Sequence, residues 1–447
     1  MSKIIFLVDH KYRDLNVSSL ISIFLENLGH SIKIYPLHEY DLTNKIYSFM
    51  PEFLIIPKPN WNFSEHYKYR LKGIKTIVVE TEGNHQDREV TYNAPLPPNL
   101  YLTWNDEITK KYQAIFRSKG EVITGGFHRG DFLHKNYLNF FEPKKQQLKK
   151  LNLQADKLTI TIATSTHTSM LSEAEVAASF KRRNTKFKNI TNIWDIYNNQ
   201  LQLRKITVQF IKSQISKGRN IVLKPHPNER IVFWEDLQSS IGSKNFKIFH
   251  GNNINNLFAM SDLHVAHNVC TTIIEAEMQG IKTIEITADL SRKLYKTEHF
   301  GVATYEAKNI EEMNLCIEDF LLQRNSTFQN INLIDYIESY FTSFDGQRCR
   351  KYSEIINEFI QVESLSRFSS FRFIFSNFWA FGIYCLFALK RGFFYFQYNK
   401  YLKETEKIIS KMQSYESDHL FNTRINSVDV KKTMNSLKSF LSQNDLL

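Results

Sequence analysis

The stretch KIIFLVDHKYRDLNVSSLISIFLENLGHSIKIY, residues 3–35, decides the fold. Its first six residues, Lys3 to Val8, form a compact apolar run closed by Asp9, too short for a signal-peptide core and of the right length for a buried strand. Asn16 to Gly29 then carries Leu20, Ile21, Phe24, Leu25 and Leu28 at helical spacing, and Ser31 to Tyr35 returns to a strand. Strand, helix and strand in such short succession make a βαβ unit, which sets the two strands parallel. The alternation continues outward. Residues 53–56, 76–79 and 122–124 read as further buried strands, each followed by polar residues. A Lys/Gln-rich stretch with Pro143, residues 141–156, reads as a hinge. Beyond it a second series begins, with strands at 158–163, 220–223, 246–249, 263–266 and 283–286 and helices at 192–217 and 272–279. The expected fold class is α/β, with two Rossmann-like domains, residues 1–145 and 155–345. A helical, aromatic-rich extension, residues 346–447, follows.

The 447 residues suffice for two α/β domains of ordinary size and an appendage. Hydrophobic residues at 42% and charged residues at 23% are globular values, which excludes wholesale disorder and a polytopic membrane protein. The excess of 57 Lys+Arg over 46 Asp+Glu, a net +11, calls for an anionic partner such as nucleotide phosphate or acidic lipid. No nucleic-acid-binding motif accompanies that charge, so nucleic acid is not the expected partner. Cys270, Cys316, Cys349 and Cys385 lie far apart, without a CxxC pair. That spacing suggests neither a zinc ribbon nor a disulfide framework and suits a reduced cytoplasm.

Five motifs could carry chemistry. Lys224-Pro225-His226-Pro227 directly follows a strand, at the carboxyl end where doubly wound sheets bind ligands. Proline on both sides of His226 restricts the backbone and holds an imidazole and an ammonium where both can contact phosphate oxygens. Asn268-Val269-Cys270-Thr271-Thr272-Ile273-Ile274-Glu275 follows another strand, and Thr271 or Thr272 is expected to cap a helix whose N-terminus faces the same anion. Glu80-Thr81-Glu82-Gly83 sets two carboxylates past a buried strand, suited to act as general base or as nucleophile. Gly125-Gly126-Phe127-His128-Arg129-Gly130-Asp131 offers glycine flexibility and a guanidinium that could read a carboxylate or phosphate, or else pair with Asp131. Arg13, after the first strand, is a weaker candidate for gripping substrate.

Taken in order, these residues resemble the bacterial surface-carbohydrate biosynthesis proteins, a GT-B glycosyltransferase group related in layout to capsule Kdo- and sialic-acid-type transferases. The resemblance rests on Tyr12-Arg13-Asp14-Leu15, Glu80-Thr81-Glu82-Gly83, the Thr124–Asp131 stretch, Lys224–Glu229 and Asn268–Ala276, spanning residues 1 to about 290. It implies a nucleotide-activated sugar as donor, in particular a CMP-linked ulosonic acid such as Kdo, used to build cell-surface polysaccharide. The implied donor-binding residues are Lys224, His226, Asn268, Thr271, Thr272 and Glu275. Glu80 or Glu82 is the implied catalytic carboxylate, Arg13 and Arg129 the substrate-binding residues, and no metal or other cofactor is required. The sequence departs from the family pattern at Gly126-Phe127-His128, where Asn-Pro is usual before the Arg, and at Thr81, which interrupts the acidic pair.

Residues 364–403 contain no Asp or Glu, six Lys or Arg, and fourteen aromatics between Phe368 and Tyr398. Such a composition suits docking at the headgroup boundary of an anionic membrane better than a clean transmembrane span. The expected location is therefore cytoplasmic, peripheral on the inner face of the cytoplasmic membrane, where a glycan or glycolipid acceptor is met. Two other functions share this layout: polyol-phosphate transfer of the teichoic-acid type, told apart by a phosphodiester product, and a non-catalytic, membrane-docked binding protein.

Overall fold

The computed structural model describes residues 1–37, 42–57, 73–81, 97–116, 120–183, 192–249, 251–268, 270–294, 301–324, 333–365 and 425–447. These fall into two compact units, one of residues 1–131 with 339–365 and 425–447, the other of residues 132–338. Each is built on a parallel sheet that is six-stranded among the described residues, as the βαβ opening requires.

In the first unit the strands are β1 (Lys3–Val8), β2 (Ser31–Pro36), β3 (Phe53–Ile56), β4 (Lys75–Val79), β5 (Leu100–Thr103) and β6 (Glu121–Thr124), in the order β2-β1-β3-β4-β5-β6. Their almost unbroken apolar composition reflects burial on both faces, the mark of a parallel sheet. Ile5, Leu7, Leu54, Ile56, Val78, Tyr101 and Val122 share one core cluster with Ile108 and Phe116 of the helix Asp106–Phe116. β5 was not legible as a strand from sequence, since Leu100–Thr103 is only four residues long with little flanking pattern. The helix Arg348–Leu365, expected in a separate extension, packs on the helix Lys11–Asn27 of this unit. There Ser353 Oγ donates to the Ile21 carbonyl at 3.1 Å, and the Arg350 guanidinium lies 4.8 Å from the Phe24 ring centroid. The helix Ser427–Gln443 also packs on Lys11–Asn27, with ion pairs Lys11–Asp429 and Lys438–Glu26, both 2.7 Å.

The second unit carries β7 (Thr159–Ala163), β8 (Asn220–Lys224), β9 (Phe246–Ile248), β10 (Leu263–His267), β11 (Lys282–Ile286) and β12 (Tyr305–Ala307), in the order β12-β11-β10-β7-β8-β9. Ile160, Ile162, Ile221, Leu223, Leu263, Val265, Ile284 and Ile286 pack with Leu203 and Phe210 of the helix Ile193–Ser216 and with Trp234. The chain runs from β7 outward to β8 and β9, then returns to place β10 on the other side of β7. The strand order therefore reverses between β7 and β10, and ligands of doubly wound sheets bind outside the carboxyl ends at such a point. Among the described residues, no helix is long and apolar enough to cross a membrane. The aromatic stretch 371–389, Glu82, Gly83 and Val269 lie outside them.

Candidate functional site

Three loops leave the carboxyl edge of the second sheet beside its reversal point: residues 164–167 after β7, residues 225–228 after β8, and the one that carries Asn268 after β10. His226 is half-buried, and its Nδ1 accepts the Asn228 backbone N–H at 3.1 Å. That bond leaves the proton of the neutral ring on Nε2, a donor of the kind phosphate oxygens need. Lys224, at the end of β8, has a partner within the fold. Its ammonium donates to the Asn252 carbonyl at 2.7 Å and lies 5.8 Å from the Phe249 ring centroid, and burial lowers it from 10.5 to about 8.

At the end of β10, Asn268 takes a left-handed backbone, φ 33°, which asparagine tolerates better than most residues. Its side-chain carbonyl is buried with no hydrogen-bond partner among the described residues. Leaving such a group unsatisfied costs about 1–3 kcal/mol. Thr271 and Thr272, expected to cap the following helix, are instead its first two residues, and Cys270 is the N-cap, with no side-chain capping bond. Thr272 Oγ1 donates to Cys270 Sγ at 3.2 Å and accepts from His264 Nε2 at 3.1 Å, so its hydroxyl is committed inside the fold. Glu275 is buried one turn further along this helix.

The loop after β7 was not singled out from sequence, although Thr164-Ser165-Thr166-His167-Thr168-Ser169 directly follows a strand and is dense in hydrogen-bonding side chains. Glu229 holds it. This carboxylate, 7% exposed, accepts from Thr164 Oγ1, from Thr166 N, from Thr166 Oγ1 at 2.9 Å and from Trp234 Nε1 at 2.9 Å. Burial pushes its carboxyl upward, and those donors pull it back. From the other side, Ser165 N donates to His267 Nδ1 at 3.1 Å, while His267 Nε2 donates to Thr207 Oγ1 at 2.7 Å. Thr207 in turn donates to the Leu203 carbonyl at 2.8 Å, so the chain of donors fixes the tautomer of His267. Burial lowers both His264 and His267 from 6.5 to about 3, so both are neutral.

In the first unit, Glu80 stands at the carboxyl end of β4, 8% exposed, accepting the Tyr101 hydroxyl at 3.0 Å, while its backbone carbonyl accepts Trp104 Nε1 at 2.7 Å. Arg13 is engaged within its own segment. It pairs with Asp14 through Nε and Nη2, at 2.7 and 2.8 Å, and with Asp9 at 3.2 Å. Arg129 lies over the Trp104 and Phe127 rings, 5.2 and 5.4 Å from their centroids. Asp131 accepts the Arg348 and Cys349 backbone N–H groups at 2.9 and 2.7 Å, capping the helix Arg348–Leu365, and burial raises it from 3.8 to about 6. His128 is a core residue, 1% exposed, which burial and the neighbouring Arg129 lower to about 3. The Gly125-Gly126 pair, read as a flexible ligand loop, is a packing device. A Cβ on Gly125 would come within 2.3 Å of the Tyr352 ring, and Gly126, at φ +92°, would meet Thr342 and Arg348.

No protein-family model matches the chain, and neither does any curated protein sequence. Solved structures do match it. The S. aureus MnaA–UDP co-structure aligns with 82% of this chain and 98% of its own, with TM-score 0.50 and 11% identity. UDP-GlcNAc 2-epimerase from Neisseria meningitidis, bound to UDP-GlcNAc, covers 80% of this chain and 99% of its own at 0.49 and 12%. The wall teichoic acid polymerase TagF covers 81% and 90% at 0.47 and 15%. Identities this low speak to fold alone; the likeness to the first of these and the two parallel sheets show a two-domain, GT-B-like α/β fold with a helical C-terminal region.

Proposed function

We propose that this protein is a glycosyltransferase that takes a nucleotide-activated sugar, a CMP-linked ulosonic acid, to extend cell-surface polysaccharide at the inner face of the cytoplasmic membrane. The observation that carries the proposal is His226, held on a Pro-His-Pro turn at the carboxyl edge of the second sheet, beside its reversal point, with Nδ1 accepting the Asn228 N–H. The unsatisfied carbonyl of Asn268, on a neighbouring loop, adds an acceptor for the nucleotide. The choice of donor sugar rests on the ordered motifs from Arg13 to Ala276. In the transfer, an acceptor hydroxyl on a glycan or glycolipid becomes bonded to the anomeric carbon. The bond from that carbon to the phosphate oxygen breaks, its electrons leaving on the nucleotide phosphate. His226 meets the charge growing there. Glu80 or Glu82 acts as base, taking the hydroxyl proton, or as nucleophile. The proposed chemistry uses no metal.

The test is a thermal-shift screen of the full chain against CMP-, UDP-, GDP- and dTDP-sugars, since a ligand bound only by the folded form raises the melting point. The stabilising donor then goes into a transfer assay. A glycosidic product from a CMP-sugar is expected. A phosphodiester product would assign polyol-phosphate transfer instead, and binding without turnover or donor hydrolysis would leave a binding protein.

A further inference from the structure

His167 opens the 3-10 turn His167–Met170 that follows β7, the strand paired with both β8 and β10. Its ring stacks on that of His226, with centroids 5.6 Å apart and an interplanar angle of 29°. Two stacked imidazoles repel when both are charged, and a bound anion removes that penalty. The loop that carries His167 is secured with unusual thoroughness. Buried Glu229 ties Thr164 and Thr166, buried His267 ties the Ser165 N–H, Gln200 accepts the Thr168 N–H at 2.6 Å, and Ser169 Oγ donates to the Thr166 carbonyl at 2.7 Å. Buried carboxylates and imidazoles are poor sources of net stability, because desolvation offsets much of what their contacts give. Here both act on one short loop and fix the position of one ring. Thr168, next in the chain and 1% exposed, keeps a buried hydroxyl with no hydrogen-bond partner among the described residues.

We propose that His167 and His226 form a paired-imidazole site that holds the phosphoryl group of the nucleotide donor, an inference that rests on the function proposed above and adds His167 to it. Each ring presents one N–H to a phosphoryl oxygen, so the pair recognises phosphate rather than base or sugar. Glu229 and His267 are positioning residues that keep the first ring in register with the second.

Calorimetric titration of the full chain with CMP, UDP, inorganic pyrophosphate and, as a phosphate-free control, cytidine tests this. His167→Ala, His167→Asn, His226→Ala and the double alanine variant are compared, with far-UV circular dichroism confirming the fold. Each alanine variant is expected to weaken the phosphate-bearing ligands about tenfold, as for a lost charge-assisted hydrogen bond, and to leave cytidine binding unchanged. The double variant should lose less than the product of the two single losses, the signature of coupled side chains. His167→Asn, which keeps a donor, should recover part of the affinity and serves in place of the alanine variant if that one unfolds. Normal phosphate affinity in both His167 variants beside a loss in His226→Ala would overturn the pair and leave the proposed function standing. Wild-type protein that takes up none of the three phosphate ligands would overturn both.

Discussion

At His226 the two flanking prolines remove backbone donors and fix the chain, and the Asn228 N–H occupies Nδ1. The ring is half-buried rather than part of the core, so His226→Ala is expected to leave the melting point nearly unchanged while lowering the transfer rate. A loss on the order of a hundredfold is expected for a group aimed at leaving-group charge. Near-normal turnover would remove His226 from the phosphate. The acidic loop yields a sharper comparison. Glu80 accepts the Tyr101 hydroxyl through one oxygen, a bond that glutamine preserves through its amide carbonyl, so Glu80→Gln should fold. Of Glu80→Gln and Glu82→Gln, one is expected to abolish transfer and the other to retain it; two active variants would place the catalytic carboxylate elsewhere.

Elements show a different logic, in which residues that look like ligand-binding features serve packing. Gly125 and Gly126 end β6 and admit the helix Arg348–Leu365, whose Tyr352 hydroxyl lies 2.9 Å from the Gly126 carbonyl and 3.2 Å from that of Thr103. Tyr352 is fully buried and cannot withdraw from a new methyl group. Gly125→Ala is therefore expected to destabilise the first unit by about 3 kcal/mol, at the upper end of overpacking costs, measured as a lowered urea midpoint. An unchanged midpoint would mean that the helix shifts freely on β6. The helix Thr271–Met278 repeats the lesson. Two threonines before an apolar run look like caps, yet the helix starts one residue earlier, and buried His264 claims the second hydroxyl.

At the scale of the whole molecule, three buried imidazoles among the described residues weaken the fold in acid: His128 in the first unit, His264 and His267 in the second, each lowered from 6.5 to about 3 by burial. Each stays neutral in the folded chain and takes up a proton on unfolding below 6.5. Their stabilisation is thus fully present above the unfolded value and is lost as pH falls from 6.5 towards 3. Well below the unfolded value the slope is about 1.4 kcal/mol per pH unit for each ring, or roughly 4 for the three together. Buried Asp131, raised to about 6, and Glu229 and Glu277, which burial also raises, have the opposite sign and offset part of this. Urea midpoints are expected to drop steeply between about pH 7 and about pH 5, and a flat profile would contradict neutral burial of these rings. The membrane proposal also belongs to this scale. Six cations without an acid in residues 364–403 give attraction of about 1 kcal/mol for each cation near an anionic surface, screened by salt, while aromatic burial is not screened. Full-length protein should pellet with anionic liposomes, be partly released by high salt, and lose binding when truncated before Ser364; equal pelleting after truncation would place the contact elsewhere.

The sequence by itself determined the two parallel sheets, because buried strands and crossover helices write their periods directly into short segments such as Lys3–Val8, Ile221–Leu223 and Leu263–Ala266. It also located His226, since prolines on both sides constrain the chain whatever surrounds it. Other assignments depended on contacts between residues distant in the chain. Tyr352 turned the Gly125-Gly126 loop into a packing site, Asn252 claimed the Lys224 ammonium, and His264 claimed Thr272. Glu229 and His267 acquired their hold on the loop before His167 only when β7, β8 and β10 came side by side. A hydrogen bond across 63 or 102 residues leaves no local period in the sequence, so only the tertiary structure could decide it.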